Sequence, residues 1–282
     1  MRFHIQTLGC KINQYESQAL AEAWVAAGHQ QSDAADAERI LVNTCAVTAN
    51  AVRDVRATVR RLNRENPAAE IIVTGCAAQV LVEELADLPG VVRVVPQSDK
   101  AALLEPAPER PEPFPPFAIA DYPRARAVVK VQDGCSHRCT YCIVPLTRGA
   151  AVSRPAGDVL AEARRLLDAG FRELVLSGVN LRQWGRGTGE DFWDLLAGLE
   201  RALAPEWRGR ARLRLSSLEP GQLGPRALEV LAASELVCPH LHLSLQSGSP
   251  AVLRAMGRGH YDPAPVLGFL EELGAAWPVL GL

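Results

Sequence analysis

Three cysteines stand within eight residues in Gly134-Cys135-Ser136-His137-Arg138-Cys139-Thr140-Tyr141-Cys142, a C-x3-C-x2-C pattern directly after a predicted strand. Three thiolates in one loop can ligate three irons of a [4Fe–4S] cluster, because such clusters are held by cysteine sulfur. With only three protein ligands one iron stays open, and an open position is where a metal centre does chemistry. The alternative is a structural zinc loop. Zinc sites usually present C-x2-C pairs with a fourth Cys or His nearby, and His137, lying between the ligands, would be awkward to recruit.

A second set is dispersed. Cys10, Cys45 and Cys76 each sit immediately after a predicted parallel strand. In an open α/β sheet the carboxyl ends of the strands face one crevice, so cysteines far apart in sequence converge on one rim. That placement points to a second three-thiolate cluster. Three buried cysteines acting as small hydrophobes is the other reading, and it fits poorly because each follows its strand instead of lying within it. Cys238, alone before Pro239, reads as a buried thiol.

Strands alternating with helices position both sets. Arg2 to Leu8, Arg39 to Asn43, Glu70 to Thr74 and Val91 to Val95 read as strands. Helices follow at Gln14 to Ala27, Asn50 to Asn66 and Val80 to Asp87. This alternation implies a parallel sheet with helices on its faces. Glu105 to Pro116 holds six prolines in twelve residues, a density that excludes helix and central strand and predicts an extended connector between domains. Beyond it, strands at Ala127 to Gln132, Glu173 to Ser177, Arg212 to Ser216 and His240 to Gln246 alternate with helices, and Val279 to Leu282 begins a fifth strand. Such units suggest a barrel or partial barrel with function at the carboxyl ends of its strands.

Composition narrows the class. Of 282 residues, 48% are hydrophobic and 22% charged, ordinary for a soluble globular chain. A net charge of −2 gives no overall basic field, so a nucleic-acid partner would need a local patch. No apolar run reaches the roughly 18 residues of a transmembrane helix, and the start lacks a secretory pattern, so cytoplasm is the expected compartment, with no membrane partner. Seven cysteines in such a compartment argue for metal binding, catalysis or burial, not a disulfide framework.

Two three-cysteine sets in this order resemble the radical S-adenosylmethionine (SAM) methylthiotransferases, and the likeness covers essentially the whole chain. Thr7-Leu8-Gly9-Cys10-Lys11-Ile12-Asn13-Gln14-Tyr15-Glu16-Ser17 is similar to the family's opening motif. Asn43-Thr44-Cys45 and Thr74-Gly75-Cys76 resemble its later ligand motifs, and Gly134 to Gly149 its radical SAM signature. Gly-Cys-Lys-Ile-Asn looks most like the branch that acts on N6-threonylcarbamoyladenosine beside the tRNA anticodon. Sister branches act on isopentenyladenosine in tRNA or on a ribosomal-protein aspartate, and a zinc-bound, non-catalytic scaffold is the more distant alternative.

The resemblance implies an α/β chain with a Rossmann-like parallel-sheet domain over 1–104, a Pro-rich linker over 105–120 and a radical SAM barrel over 121–282. It implies two [4Fe–4S] clusters, an auxiliary one on Cys10, Cys45 and Cys76 and a radical SAM one on Cys135, Cys139 and Cys142. Two SAM molecules would serve each turnover, one methylating a sulfur on the auxiliary cluster, the other yielding a 5′-deoxyadenosyl radical that removes hydrogen from C2 of adenine. An aryl C–H offers no acidic proton, so cofactors must carry this step and no acid–base residue is expected. Partners would be tRNA and an electron donor such as a flavodoxin or ferredoxin. The family's barrel has about six β/α units followed by a β-rich RNA-binding TRAM domain. The expectation is therefore a truncated chain with weak or absent turnover on tRNA.

Candidate SAM contacts implied by the resemblance are Tyr141, Ser177, Gly178, Ser216, Glu219 and Gln246. Ordinary βα-loop polarity, which favours such residues for turns and caps, is the alternative at the strand ends. Lys130, Arg138 and Arg148 flank the cysteine loop as candidate RNA contacts. Arg53, Arg56, Arg60 and Arg64 line one helix face, either meeting RNA phosphates or simply solvated.

Overall fold

The computed structural model describes residues 1–110 and 114–282, which form two compact units. The first comprises Met1–Ile119 with Ile143–Gly149, and the second Ala120–Cys142 with Ala150–Leu282.

In the first unit β1 (Arg2–Thr7), β2 (Gln30–Gln31), β3 (Arg39–Thr44), β4 (Glu70–Gly75) and β5 (Val91–Pro96) form one parallel sheet in the order β2-β1-β3-β4-β5. The central strands carry Ile40-Leu41-Val42 and Ile71-Ile72-Val73, apolar on successive residues and buried, as a sheet covered on both faces requires. The registers Thr7↔Asn43 and Thr44↔Gly75 bring the carboxyl ends of β1, β3 and β4 level. Helices α1 (Lys11–Ala26), α2 (Ala49–Glu65), α3 (Cys76–Val80) and α4 (Val82–Ala86) follow β1, β3 and β4. The Thr48 hydroxyl caps α2 by accepting from Ala51 N at 3.1 Å, and Val55, Val59 and Leu62 form its buried stripe. Arg53, Arg60 and Arg64 are exposed on the opposite face, and Arg56 pairs with Glu84.

Among its described residues the Pro-rich stretch forms neither helix nor strand. Its described part up to Ile119 belongs to the first unit, where Phe114, Phe117 and Ile119 are buried and Tyr15 Oη donates to Phe117 O at 2.7 Å. Three buried apolar side chains among the prolines hold it down. Residues 111–113 of the expected linker lie outside the described residues. The first unit also takes in α5 (Val144–Arg148), with Ile143 packed on its core.

In the second unit β6 (Ala127–Lys130), β9 (Glu173–Ser177) and β10 (Arg212–Leu215) form a parallel sheet in the order β10-β9-β6, and β7 (Gln132–Asp133) pairs antiparallel with β8 (Val152–Ser153). Helices α6 (Ala156–Asp168), α7 (Phe192–Trp207) and α8 (Pro225–Ala232) are the crossovers. A short parallel pair, β11 (Ser217–Leu218) with β12 (His242–Leu243), continues the β/α order, followed by α9 (Pro250–Ala255) and α10 (Pro265–Ala276). The strand expected over His240 to Gln246 is thus only two residues long. Pro239 supplies no N–H before it, and Gln246 is turned to φ +61 after it. Val279 to Leu282 makes a single bridge, His240↔Gly281.

Candidate metal centres

At the rim of the first sheet, Gly9 and Gly75 explain why each precedes a cysteine. Gly9 has φ +105, and a Cβ there would sit 2.7 Å from Cys45 Cβ and 3.2 Å from its Sγ. Gly75 has φ +99, and its Cβ would meet Thr44 O at 2.5 Å. Only glycine turns the chain this way while letting neighbouring thiol loops close up. Cys10 is the N-cap residue of α1 and Cys76 the first residue of α3. Burial pushes the Cys45 thiol up, and the Cys76 and Cys10 charges push it further, while the Val47 amide and Arg148 act against them. Cys76 and Cys10 are thus near enough to act on Cys45, a set of three thiols that a metal cluster could draw together.

Beneath them lies a polar lattice the sequence did not single out. Asn13 Nδ2 donates to the carbonyls of Leu8 (2.9 Å) and Thr44 (2.8 Å), tying the first cysteine loop to the second. Thr44 Oγ1 donates to Thr74 O at 2.6 Å and accepts from Ala77 N at 3.2 Å, tying the second to the third. The buried Glu16 carboxylate receives Lys100 Nζ at 2.6 Å and Arg148 Nη1 at 2.9 Å, while Arg148 Nη2 donates to Asn13 Oδ1 at 2.6 Å. Burial pushes Lys100 below the usual lysine range, with Glu16 opposing. Asn13 and Glu16 stand in the opening motif, but nothing in the spacing marks Lys100 as their partner.

In the second unit the cysteine loop leaves β6 through β7. Gln132 Nε2 donates to the carbonyls of Asp133 (2.6 Å) and Gly134 (2.8 Å), and its Oε1 accepts from Asn180 N at 2.7 Å. Ser136 N donates to Gln183 Oε1 at 2.8 Å, and Thr140 N to Met256 O at 3.0 Å. Two donors are aimed at sulfur: Asn180 Nδ2 lies 3.8 Å from Cys135 Sγ, and Arg258 Nη1 lies 3.7 Å from Cys139 Sγ. Burial pushes the Cys135 thiol up, the His137 amide and Asn180 act against it, and the Cys142 and Cys139 charges add to it. Three thiols in mutual range with amide and guanidinium donors facing them fit an anionic iron–sulfur cluster.

The expected SAM contacts Ser177, Gly178, Ser216, Glu219 and Gln246 fall after or at the ends of the parallel strands β9 to β12, on the chain's turn toward the next helix. Ser177 is buried, and Gly178 is pressed on Gln132, where a Cβ would be 2.9 Å from Gln132 Cβ. The Ser216 hydroxyl and Arg258 Nε are buried without hydrogen-bond partners among the described residues, polar atoms that a bound polar ligand would satisfy, whereas His137 Nδ1 lies 3.5 Å from Glu219 Oε1. Gln246 is exposed, and Tyr141 is 54% exposed, accepting from Arg258 Nη1 at 3.5 Å. Glu219 is buried and already engaged by His260 Nε2 (2.7 Å), Arg258 Nη2 (2.9 Å) and Arg182 Nη1 (3.5 Å). His137, Glu219 and His260 bring ligand atoms within 4.8 Å of one another, but two guanidiniums on the same carboxylate disfavour a cation there.

Two of the expected RNA contacts have side chains buried and paired within the protein. Lys130 is fully buried with Nζ 2.6 Å from Asp133 Oδ2, and Arg148 is spent on Glu16 and Asn13 with its side chain 3% exposed. Neither can reach a phosphate from those positions; Arg138 is exposed. Cys238 is buried as expected, with Arg214 Nη2 3.4 Å from its sulfur. No helix of the described residues is long and apolar enough to cross a membrane.

Known proteins sharpen this geometry. Residues 2–96 match the uncharacterized protein family UPF0004, and residues 129–281 match the Radical SAM superfamily. The chain is 36% identical over 285 residues to the threonylcarbamoyladenosine tRNA methylthiotransferase MtaB of Chlamydia pneumoniae, covering 98% of this chain and 65% of that protein. Identity to the protein of the same name from Bacillus subtilis is 37%, over 91% of this chain and 59% of that one. The tRNA-2-methylthio-N(6)-dimethylallyladenosine synthase of Nitratidesulfovibrio vulgaris is 34% identical, over 98% and 65% respectively. The chain thus spans less than two thirds of the length of each of these relatives. Among solved structures, the radical SAM methyltransferase TsrM from Kitasatospora setae, with tryptophan substrate and the SAM analog aza-SAM bound, shares the fold at TM-score 0.67 and 15% identity, over 98% of this chain and 65% of that one. With more than half its length matched and the three-cysteine loop placed after the first strand of the second unit, the chain belongs to the radical SAM superfamily, whose members use SAM and a [4Fe–4S] cluster.

Proposed function

We propose that this chain is the catalytic portion of a tRNA methylthiotransferase that places a methylthio group on C2 of N6-threonylcarbamoyladenosine, next to the anticodon. The observation that carries the reading is the presence of two separate thiol triplets, one spread over the carboxyl ends of the parallel strands β1, β3 and β4 and the other within the single loop that follows β7. Cys135, Cys139 and Cys142 would hold the cluster that binds SAM, and Cys10, Cys45 and Cys76 a second [4Fe–4S] cluster. When bound, these groups supply the radical that opens the aryl C–H bond and the sulfur that replaces the hydrogen. The chain's own residues keep each triplet together: Gly9 and Gly75 admit close approach, Asn13 and Thr44 join the loops, and Gln132 and Asn180 fix the radical SAM loop. Tyr141, Ser177, Gly178, Ser216 and Gln246 would line the SAM side. Relatives named for threonylcarbamoyladenosine support the substrate choice, as does Gly-Cys-Lys-Ile-Asn at the first triplet. A dimethylallyladenosine substrate is the second reading, favoured by relatives of that name at similar identity. A flavodoxin or ferredoxin would deliver electrons, and the reaction would take place in the cytoplasm, where tRNA is.

Anaerobic reconstitution tests the cofactor set. The parent chain is expected to hold about eight irons, falling to about four in Cys10→Ala and in Cys135→Ala. Colourless protein that binds zinc, or iron lost from both sites by one substitution, would reject it. Nucleoside mass spectrometry of tRNA from a strain lacking the gene separates the substrates: loss of the methylthio group from threonylcarbamoyladenosine supports the first reading, and loss from dimethylallyladenosine the second.

A further inference from the structure

Arg258 lies just beyond α9, 119 residues from Cys139, yet its guanidinium reaches three partners at once. Nη2 donates to Glu219 Oε1 at 2.9 Å, while Nη1 lies 3.5 Å from Tyr141 Oη and 3.7 Å from Cys139 Sγ. The turn that carries it is fixed to the cysteine loop by backbone. Thr140 N donates to Met256 O at 3.0 Å, and Gly257, at φ +70, is so close that a Cβ would lie 2.9 Å from Arg138 O. Glu219 is itself contacted by His260 and Arg182, which orient the carboxylate toward the guanidinium.

A guanidinium stays charged in a protein, so this is a permanent positive charge donating toward a ligand sulfur. Reduction adds an electron to an already anionic cluster, and the charge stabilises the reduced form more than the oxidised one. Hydrogen bonds to sulfur and net local charge are the means by which a protein sets cluster potentials. We propose that Arg258 is a positioning residue that makes the cluster on Cys135, Cys139 and Cys142 easier to reduce, through a charge-assisted bond to Cys139 Sγ that Glu219 holds in place. The inference rests on the reading of that triplet as a cluster site.

The test is an EPR-monitored redox titration at pH 8 of the full chain carrying Cys10→Ala, Cys45→Ala and Cys76→Ala, so that one cluster is read. Arg258→Gln is expected to make reduction at least tenfold less favourable, a fall of about 59 mV for a one-electron couple. Arg258→Lys keeps the charge but cannot serve three partners, and is expected to fall between the two. Glu219→Gln removes an opposing negative charge while keeping an acceptor for Arg258. It is expected to shift the equilibrium the other way. A role confined to holding the loop together would move all three variants in one direction, and that outcome, or no shift in Arg258→Gln, overturns the proposal. If Arg258→Gln fails to hold iron, Arg258→Lys decides, and a potential at or above the parent's overturns it. A parent chain without iron at this triplet overturns the cluster reading as well.

Discussion

Gly9 shows how much a single missing side chain can decide. Its φ of +105 costs a substituted residue on the order of 1–3 kcal/mol, and the added Cβ would collide with Cys45. Gly9→Ala is therefore expected to lower the unfolding free energy by that amount in denaturant titrations. It should also leave only about four irons after reconstitution, those of the Cys135 triplet. The buried ions below the rim behave asymmetrically. Glu16 is the carboxylate shared by Lys100 and Arg148, so Glu16→Gln removes the negative charge facing two buried cationic side chains and is expected to cost about 3–5 kcal/mol. Lys100→Met leaves Glu16 with Arg148 and should cost clearly less by the same measurement. A larger loss in Lys100→Met than in Glu16→Gln would show that the lysine, not the carboxylate, organises the lattice. Cys10, Cys45, Cys76 and Cys135 were legible in the sequence because each sits one to three residues past a recognisable strand, and Cys139 and Cys142 because they follow Cys135 at C-x3-C-x2-C spacing. Lys100 and Arg258 were not, since contacts formed across 84 and 119 residues leave no periodic trace.

Among the elements, the β9–β10 pair is stitched at its amino end by Glu173, whose carboxylate accepts from Arg212 Nε and Arg214 Nε at 2.7 Å each. Burial alone would raise this carboxyl, but the two guanidiniums outweigh it and hold it below the usual glutamate range. A depressed folded-state value means stabilisation that is complete above the ordinary value of about 4.3 and is lost as pH falls further. Glu173→Gln should accordingly flatten the fall of unfolding free energy with acid below about pH 4, while a slope identical to the parent's would exclude a contribution from this carboxylate. Most elements were legible from apolar runs between turn residues: β3, β4, β9 and β10 fall where alternation placed them. The stretch from His240 to Gln246 looked equally strand-like but pairs over two residues only, because neighbouring backbone constraints at Pro239 and Gln246 outweigh side-chain preference.

For the molecule as a whole, a net charge of −2 means that the proposed RNA substrate would have to be met by a local basic patch. Arg138→Glu is expected to weaken tRNA binding and reduce the slope of log K against log salt by about 1 or more. Arg148→Glu should act through stability and iron loading, leaving that slope unchanged once the protein is folded. A reduced slope in Arg148→Glu would return it to the RNA surface. Cysteine arithmetic made the two thiol triplets legible, whereas the placement of these basic residues depends on burial, which local sequence does not encode.

The assignment of Ile143–Gly149 to the first unit has a practical corollary for dissecting the protein. No one cut yields two self-sufficient halves. A gene fragment ending at Ile119 would leave Glu16 with its lysine but without its arginine. A fragment starting at Ala120 would carry an orphaned heptapeptide strip whose anchoring pocket had been deleted. Splicing that strip onto the shorter piece through a flexible tether is the way to obtain the first unit alone.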